Sequence, residues 1–315
     1  MSDNSFNGSI PPELFSLKNL QCLDLSRNDI GGTLSGSLSE LLTLTLRQNL
    51  FSGSIPLSVS QLTKLETFDL QNSSLSFEIP DGIGKLANIS TLSLSRNKLS
   101  GGIPSSIQNL TNLETLELEN NNGLSGEIPT WLFGLQKLKI LRLGGNKLQW
   151  NKNVSVYAQS KLTHLSLRSC GLEGNIPDWL KNQTALLPGS EHEQTRRKFS
   201  QMSISLSVLA LSRNNFSGQI PDTDQYQSLS QRSTGCCCWT SQRTNYPVNS
   251  QGDVPAFFGS NTIMLSMSQN NFSGEFPHDF TNLPSLMHFD LHDNKISGNV
   301  PSFISRLSSS LEVLT

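Results

Sequence analysis

The chain has 315 residues, 35% hydrophobic and 15% charged, with a formal net charge of −2. So small a charge argues against a nucleic acid or an anionic membrane surface held by bulk electrostatics. No apolar run reaches the roughly 18 residues that a membrane span needs.

The opening residues, MSDNSFNGSIPPELF, have neither the basic region nor the apolar run of a secretory leader. Phe6, Gly8, Ile10 and Pro11 already form the tail of a unit that recurs down the chain. Its clearest form is residues 86–129. There Leu92, Leu94, Asn97, Leu99, Gly101, Ile103 and Pro104 return as Leu116, Leu118, Asn121, Leu124, Gly126, Ile128 and Pro129. Self-similarity at such a fixed period marks a solenoid.

The strand-bearing cores run Leu23/Leu25, Leu44/Leu46, Phe68/Leu70, Leu92/Leu94, Leu116/Leu118, Leu141/Leu143, Leu165/Leu167, Leu209/Leu211, Leu265/Met267 and Phe289/Leu291. Another core begins at Leu311 and Leu314. Each L-x-L pair reads as a short strand with both apolar side chains inward and the residue between them facing solvent. The Asn three residues on (Asn28, Asn49, Asn97, Asn121, Asn146, Asn214, Asn270, Asn294) lies where the chain turns inward. Its amide is expected to satisfy backbone groups of that turn and of the next repeat. Cys170 and Ser73 take its place in two repeats, Cys170 as a small buried side chain. In the S-G-x-I-P segment Gly permits a tight path, Ile fills the core, and Pro fixes φ and ends pairing. The stretch after it has apolar residues at helix-like spacing.

From Leu44 to Leu165 successive cores are 24, 24, 24, 25 and 24 residues apart. The repeat from Leu23 to Leu44 is shortened. The repeat holding Gln149–Lys161 keeps the period but loses S-G-x-I-P, with Trp150 in the Ile slot or a nearby groove. Both termini fall inside a repeat, which suggests a piece of a longer array, since solenoids carry atypical caps.

The L-x-x-L-x-L-x-x-N-x-L-S-G-x-I-P pattern resembles the plant-specific class of leucine-rich repeats. The phrases LTHLSLRSCGLEGNIPDWL and LALSRNNFSGQIPD resemble the ectodomains of plant leucine-rich-repeat receptor-like proteins. The resemblance implies an α/β repeat fold: a right-handed solenoid, horseshoe or superhelix, with a parallel sheet on the concave face. This chain would be uncapped at both ends and interrupted at about 186–205 and 222–253. It also implies perception of a peptide or protein ligand at the extracellular face of the plasma membrane, signalling in defence or development through a partner co-receptor kinase. The chain departs from the family in having no leader, paired-cysteine cap, membrane span or kinase motif.

The organisation expected is an array over 1–185, an aberrant stretch over 186–205, one repeat over 206–221, a second aberrant stretch over 222–253, and repeats over 254–315. Leu165 to Leu209 is 44 residues and Leu209 to Leu265 is 56, where one hidden unit would give about 48 in each case. Three readings remain open for these gaps. They are functional insertions, with Arg196-Arg197-Lys198 as a basic patch and Cys236-Cys237-Cys238 as a metal or redox site; polar linkers; or out-of-frame translation. Adjacent cysteines fit zinc poorly, because known ligand spacings leave two or more residues between them. Synonymous codons exist that let a neighbouring frame of 187–202 and of 233–250 spell repeat-like cores, which favours the third reading. Each interruption is expected to leave an uncovered core edge on the repeats beside it.

Chemistry is sparse. There is no nucleophile elbow, zinc-protease helix, phosphate loop or kinase signature, so neither an enzyme nor a cofactor is expected. Five cysteines, three of them consecutive, make no disulfide framework, and the five histidines show no ligand spacing. Eight Asn-x-Ser/Thr triplets, at Asn7, Asn72, Asn88, Asn109, Asn153, Asn182, Asn215 and Asn271, suit a secreted glycoprotein. Candidate binding residues are those beside and between the core leucines: Asp24, Arg47, Asp69, Glu117, Glu119, Arg142, His164, Arg168, Asp290 and His292. Taken singly, most of them are better explained as solvated strand residues. Two other readings remain: a secreted inhibitor of a cell-wall-degrading enzyme, and a product with no function.

Overall fold

The computed structural model describes residues 1–11, 13, 14, 17, 19–33, 40–150, 160, 162–174, 207–218, 261–275, 283–300, 304 and 309–315. Asn153, Asn182, the basic triplet at 196–198, the cysteines at 236–238 and the stretches 186–205 and 222–253 lie outside them.

Each L-x-L core forms a short strand, the first being Cys22–Asp24 and the last Val313–Leu314. Eleven such strands pair side by side in one parallel sheet. The register places Leu23, Leu44, Phe68, Leu92, Leu116, Leu141, Leu165, Leu209, Leu265, Phe289 and Leu314 in one row. Leu165 pairs directly with Leu209, and Leu209 with Leu265. The long gaps therefore do not interrupt this sheet. The uncovered core edges expected beside them are absent from the strand ladder, because the flanking repeats stack on one another.

The S-G segment does more than let the chain turn. It forms a second parallel sheet, with seven strands from Asn7–Ser9 to Lys147–Gln149 and four from Glu173–Gly174 to Lys295–Ser297. Gly101 shows why glycine stands there. Its φ is +76°, and an added Cβ would lie 2.8 Å from Glu78 Cγ. The left-handed region carries little penalty only without a Cβ.

The return to the next strand is a single 3-10 turn, seen at Leu57–Gln61, Asp81–Lys85, Ser105–Asn109 and Thr130–Gly134. No α-helix occurs among the described residues. Of the ten residues between Pro104 and the next strand at Thr115, only Ser105–Asn109 are helical, and a one-turn α-helix does not repay its nucleation. Pro56, Pro80, Pro104 and Pro129 precede these turns with φ between −65° and −73°. There the missing proline N–H removes no helical bond.

The core fills the space between the sheets and these turns. Leu92, Leu94, Leu99, Ile107, Leu110, Leu113 and Leu116 are completely buried, each contributing about 1.5–3 kcal/mol of transfer free energy. Trp150 aligns with the glycine position rather than the Ile slot. It is partly buried against the core beside Phe133, ring centroids 6.0 Å apart.

The buried asparagines form a ladder, but they reach back instead of forward. Asn97 donates from Nδ2 to Leu94 O (3.1 Å) in its own turn and to Leu70 O (2.9 Å) in the preceding repeat, and accepts from Leu75 N there (3.0 Å). Asn49, Asn214 and Asn270 do the same. The ladder crosses both long gaps: Asn214 binds Leu167 O and Asn270 binds Leu211 O. Cys170 replaces the amide with a thiol that donates to Leu143 O (3.4 Å). Burial pushes this thiol up to about 11, so it stays protonated and inert.

Candidate functional site

The outward face of the long sheet is the candidate binding surface. Strand alternation sends every second side chain to it, and the parallel register lines these up in three rows. The middle row includes Asp24, Thr45, Asp69, Ser93, Glu117, Arg142, Ser166, Ala210, Ser266 and Asp290. One flank holds Cys22, Thr43, Thr67, Thr91, Thr115, Ile140, His164, Val208, Met264 and His288. The other flank lies two residues beyond the middle row, with Arg47, Gln71, Ser95, Glu119, Arg168 and His292. All ten binding candidates from the sequence fall on these rows.

Their electrostatics divide the face. Near the middle, Glu117 is a node: Gln71 Nε2 (2.9 Å) and Ser93 Oγ (2.9 Å) donate to Oε2, and Arg142 Nη1 lies 3.0 Å from Oε1. Asp69 sits two strands away with Arg47 Nε at 4.0 Å. Burial pushes the Asp69 carboxyl above its ordinary value, against the pull of the Gln71 backbone N–H and Arg47. At Asp24 burial also works upward, but hydrogen bonds from the Ser26 hydroxyl and backbone N–H win and lower it.

Farther along, Ser166, Ala210 and Ser266 keep the middle row shallow, beside half-buried Val208 and Met264. His164, at the edge of this low region, is lowered by burial and by Arg142. Arg168 is exposed and has no ion-pair partner among the described residues. On the far side Asp290 accepts from Ser268 Oγ (2.7 Å), His292 Nδ1 (2.6 Å) and Thr315 Oγ1 (3.0 Å). Burial raises its pKa, but these bonds outweigh that and hold it down at about 2.

Selection by charge passed over Gln71, Ser93 and Ser95, which occupy the same rows. Row position was the signal that would have found them. Among the described residues no group of three His, Cys, Asp or Glu side chains could hold a metal ion, and no helix is long and apolar enough to cross a membrane. The described sequon asparagines all avoid the three rows. Asn7, Asn215 and Asn271 lie on the second sheet, Asn72 in a turn, and Asn88 and Asn109 on the 3-10 side. All are exposed except the half-buried Asn271.

A solenoid of L-x-L strands, an asparagine ladder and a continuous outward-facing sheet is the architecture of a leucine-rich-repeat array. The chain belongs to the leucine-rich-repeat family: the Leucine Rich Repeat model matches residues 19–41, 64–86, 88–110, 112–135, 161–183, 261–283 and 285–307, together just over half the chain. Its relatives are plant receptor-like proteins. It is 54% identical over 262 residues to Receptor-like protein 46 of Arabidopsis thaliana, covering 62% of this chain and 32% of that protein. It is 33% identical over 317 residues to Receptor-like protein 18 of the same plant, covering 90% and 32%. Among solved structures it resembles the Arabidopsis receptor kinase HAESA, crystallised with the peptide hormone IDA and the co-receptor SERK1, with a TM-score of 0.73 and 26% identity over 97% of this chain and 43% of that one. The plant peptide hormone receptor RGFR1, in complex with RGF2, gives a TM-score of 0.52 and 27% identity over 99% and 53%. The chain thus spans about a third of the length of these two curated relatives.

Proposed function

We propose that the chain is ligand-binding ectodomain sequence of a plant cell-surface receptor-like protein, taking a peptide or protein ligand along the outward face of its long sheet. The observation that carries this is the unbroken sheet itself. Eleven strands present aligned rows of charged, polar and small side chains, and the described sequons leave those rows clear. Such a surface reads a ligand by many modest contacts. Its mixed signs favour local complementarity over long-range steering. The likeness to peptide-hormone receptors supports the ligand class, and the co-receptor in the HAESA complex supports a kinase partner of that kind. The roles of Asp24, Arg47, Asp69, Glu117, Glu119, Arg142, His164, Arg168, Asp290 and His292 are ligand contact or support of a contacting neighbour. The location is the extracellular face of the plasma membrane, with glycans at exposed sequons. No catalytic role is assigned.

The test is binding of a panel of synthetic secreted plant peptides to the whole chain, measured by interferometry. At least one peptide should bind. Arg168→Glu on the outward face should weaken it, while Lys85→Glu on a 3-10 turn should not. A panel that gives no binder, or binding indifferent to Arg168→Glu and sensitive to Lys85→Glu, overturns the proposal.

A further inference from the structure

The strand Thr91–Ser93 forms a low step in the face. Its outward residues, and the one just beyond, are Thr91, Ser93 and Ser95. The strands beside it carry longer polar groups: Asp69 and Gln71 on one side, Glu117 and Glu119 on the other. Adjacent strands lie about 4.8 Å apart, so a gap of roughly 10 Å separates these walls. The Gln71 side chain crosses it, its amide donating to Glu117 Oε2 over a strand whose outward side chains are short. Beneath lies Ser95, 2% exposed, whose Oγ is buried without a hydrogen-bond partner. Ser95 follows the fully buried Leu94, so alternation points it outward, into the step. A buried hydroxyl without a partner is an uncommon feature that needs an explanation.

The charges around the step do not balance. Three carboxylates, Asp69, Glu117 and Glu119, face it. Arg47 stands by Asp69 and Arg142 pairs with Glu117. Among the described residues Glu119 has no cationic partner, and the neighbouring Arg96 forms no ion pair with it. One negative charge is therefore left over, on the wall nearest the unpartnered Ser95.

We infer that this step is a seat for one lysine or arginine side chain of the ligand. The incoming cation takes the place of the Gln71 amide on Glu117 Oε2, pairs with Glu119, and donates to Ser95 Oγ. Gln71 acts as a neutral stand-in donor that holds Glu117 in position until then. A charged donor displaces a neutral one because hydrogen bonds between ions are roughly twice as strong. This assignment rests on the peptide-binding reading and specifies what that peptide must carry.

The experiment uses the whole chain, immobilised, and nonapeptide pools with random flanks and a fixed central Lys, Arg, Gln or Glu. The Lys and Arg pools should be retained over the Gln pool, and the Glu pool least. For the best-retained peptide, Glu119→Gln should weaken binding about tenfold, with a steep loss on adding salt. Ser95→Ala should weaken it less. Thermal unfolding should be unchanged by Glu119→Gln, since that carboxylate has no ion-pair partner among the described residues. Peptides that bind regardless of the central residue overturn the seat while leaving peptide binding standing. A Lys or Arg preference that survives Glu119→Gln also overturns it, because the cation is then held elsewhere. Failure of every pool to bind overturns both readings.

Discussion

The long sheet and the second sheet are built from the same repeats, yet among the described residues only the long one runs unbroken. The long sheet needs little from sequence: two inward apolar residues per repeat and free backbone groups between them. These are present from Leu23 to Phe289, even beside the long gaps. The second sheet needs more. It uses a residue able to hold positive φ after the core leucine, and an acceptor from the asparagine of the following repeat. Phe77 holds the glycine position at φ +69°, and pairing with the next repeat continues, with Asn97 in place behind it. Ser73 replaces the ladder asparagine, and pairing continues, with Gly53 in place. Trp150 and Cys170 remove both features together, and there the described strands of the second sheet divide into groups of seven and four. Either support is dispensable alone; the loss of both coincides with the break.

What the two sheets share is the core, and a cut into it is the largest expected effect. Phe68, completely buried, should cost about 3–5 kcal/mol as Phe68→Ala, read as a lower denaturant midpoint. Hydrogen exchange should loosen both sheets around that repeat. Loosening of the long sheet alone would show that the sheets do not depend on one core.

The ladder comes next. Asn97→Ala strands the Leu70 and Leu94 carbonyls and the Leu75 N–H, at about 2–3 kcal/mol. Cys170→Ala, losing one thiol contact to Leu143 O, should cost under about 1 kcal/mol. Equal costs for the two would mean that the amide is not what holds the second sheet.

An acid limit belongs to the far end of the long sheet. Asp290 is held at about 2, below the ordinary carboxylate value of 3.8. Its contribution is full above the ordinary value and is lost as pH falls through about 2. With solvent screening allowed for, it should be on the order of 1 kcal/mol. Asp290→Asn should flatten the stability profile between about pH 4 and 2. An unchanged acid profile would show that the bonds from Ser268, His292 and Thr315 contribute nothing measurable.

The long sheet was legible because L-x-L has a period of two and recurs at a fixed interval, so strand, facing and register follow together. The outward rows came with it. The second sheet was not legible. Leu-Ser-Gly reads as a turn when glycine is considered alone, and its pairing depends on a neighbour about 24 residues away. Helix-like apolar spacing does not distinguish the 3-10 turns from a longer helix, because it does not report how tightly the chain winds. The asparagines were recognised as buried satisfiers, but Asn97 reaches back to Leu70 and Leu75, a direction set by stacking geometry alone. The step at Ser93 and Ser95 escaped notice because small residues attract none until their neighbours are known to be long.

The smallest prediction isolates the positive-φ requirement. Phe77 is 65% exposed and stands at φ +69°. A side chain there carries a left-handed penalty of about 1–2 kcal/mol. Glycine removes that penalty but gives the unfolded chain more freedom, which returns about 0.4–1 kcal/mol. Phe77→Gly should therefore stabilise by roughly 0.5 kcal/mol net, near the limit of a denaturant midpoint comparison. Phe77→Ala separates the causes, since alanine keeps the Cβ and the strain while removing the exposed ring. If the strained backbone is what matters, Ala leaves stability where it was and Gly raises it. If Ala raises it as much as Gly, the ring itself is the burden, and the positive-φ position is not what sets where the second sheet pairs.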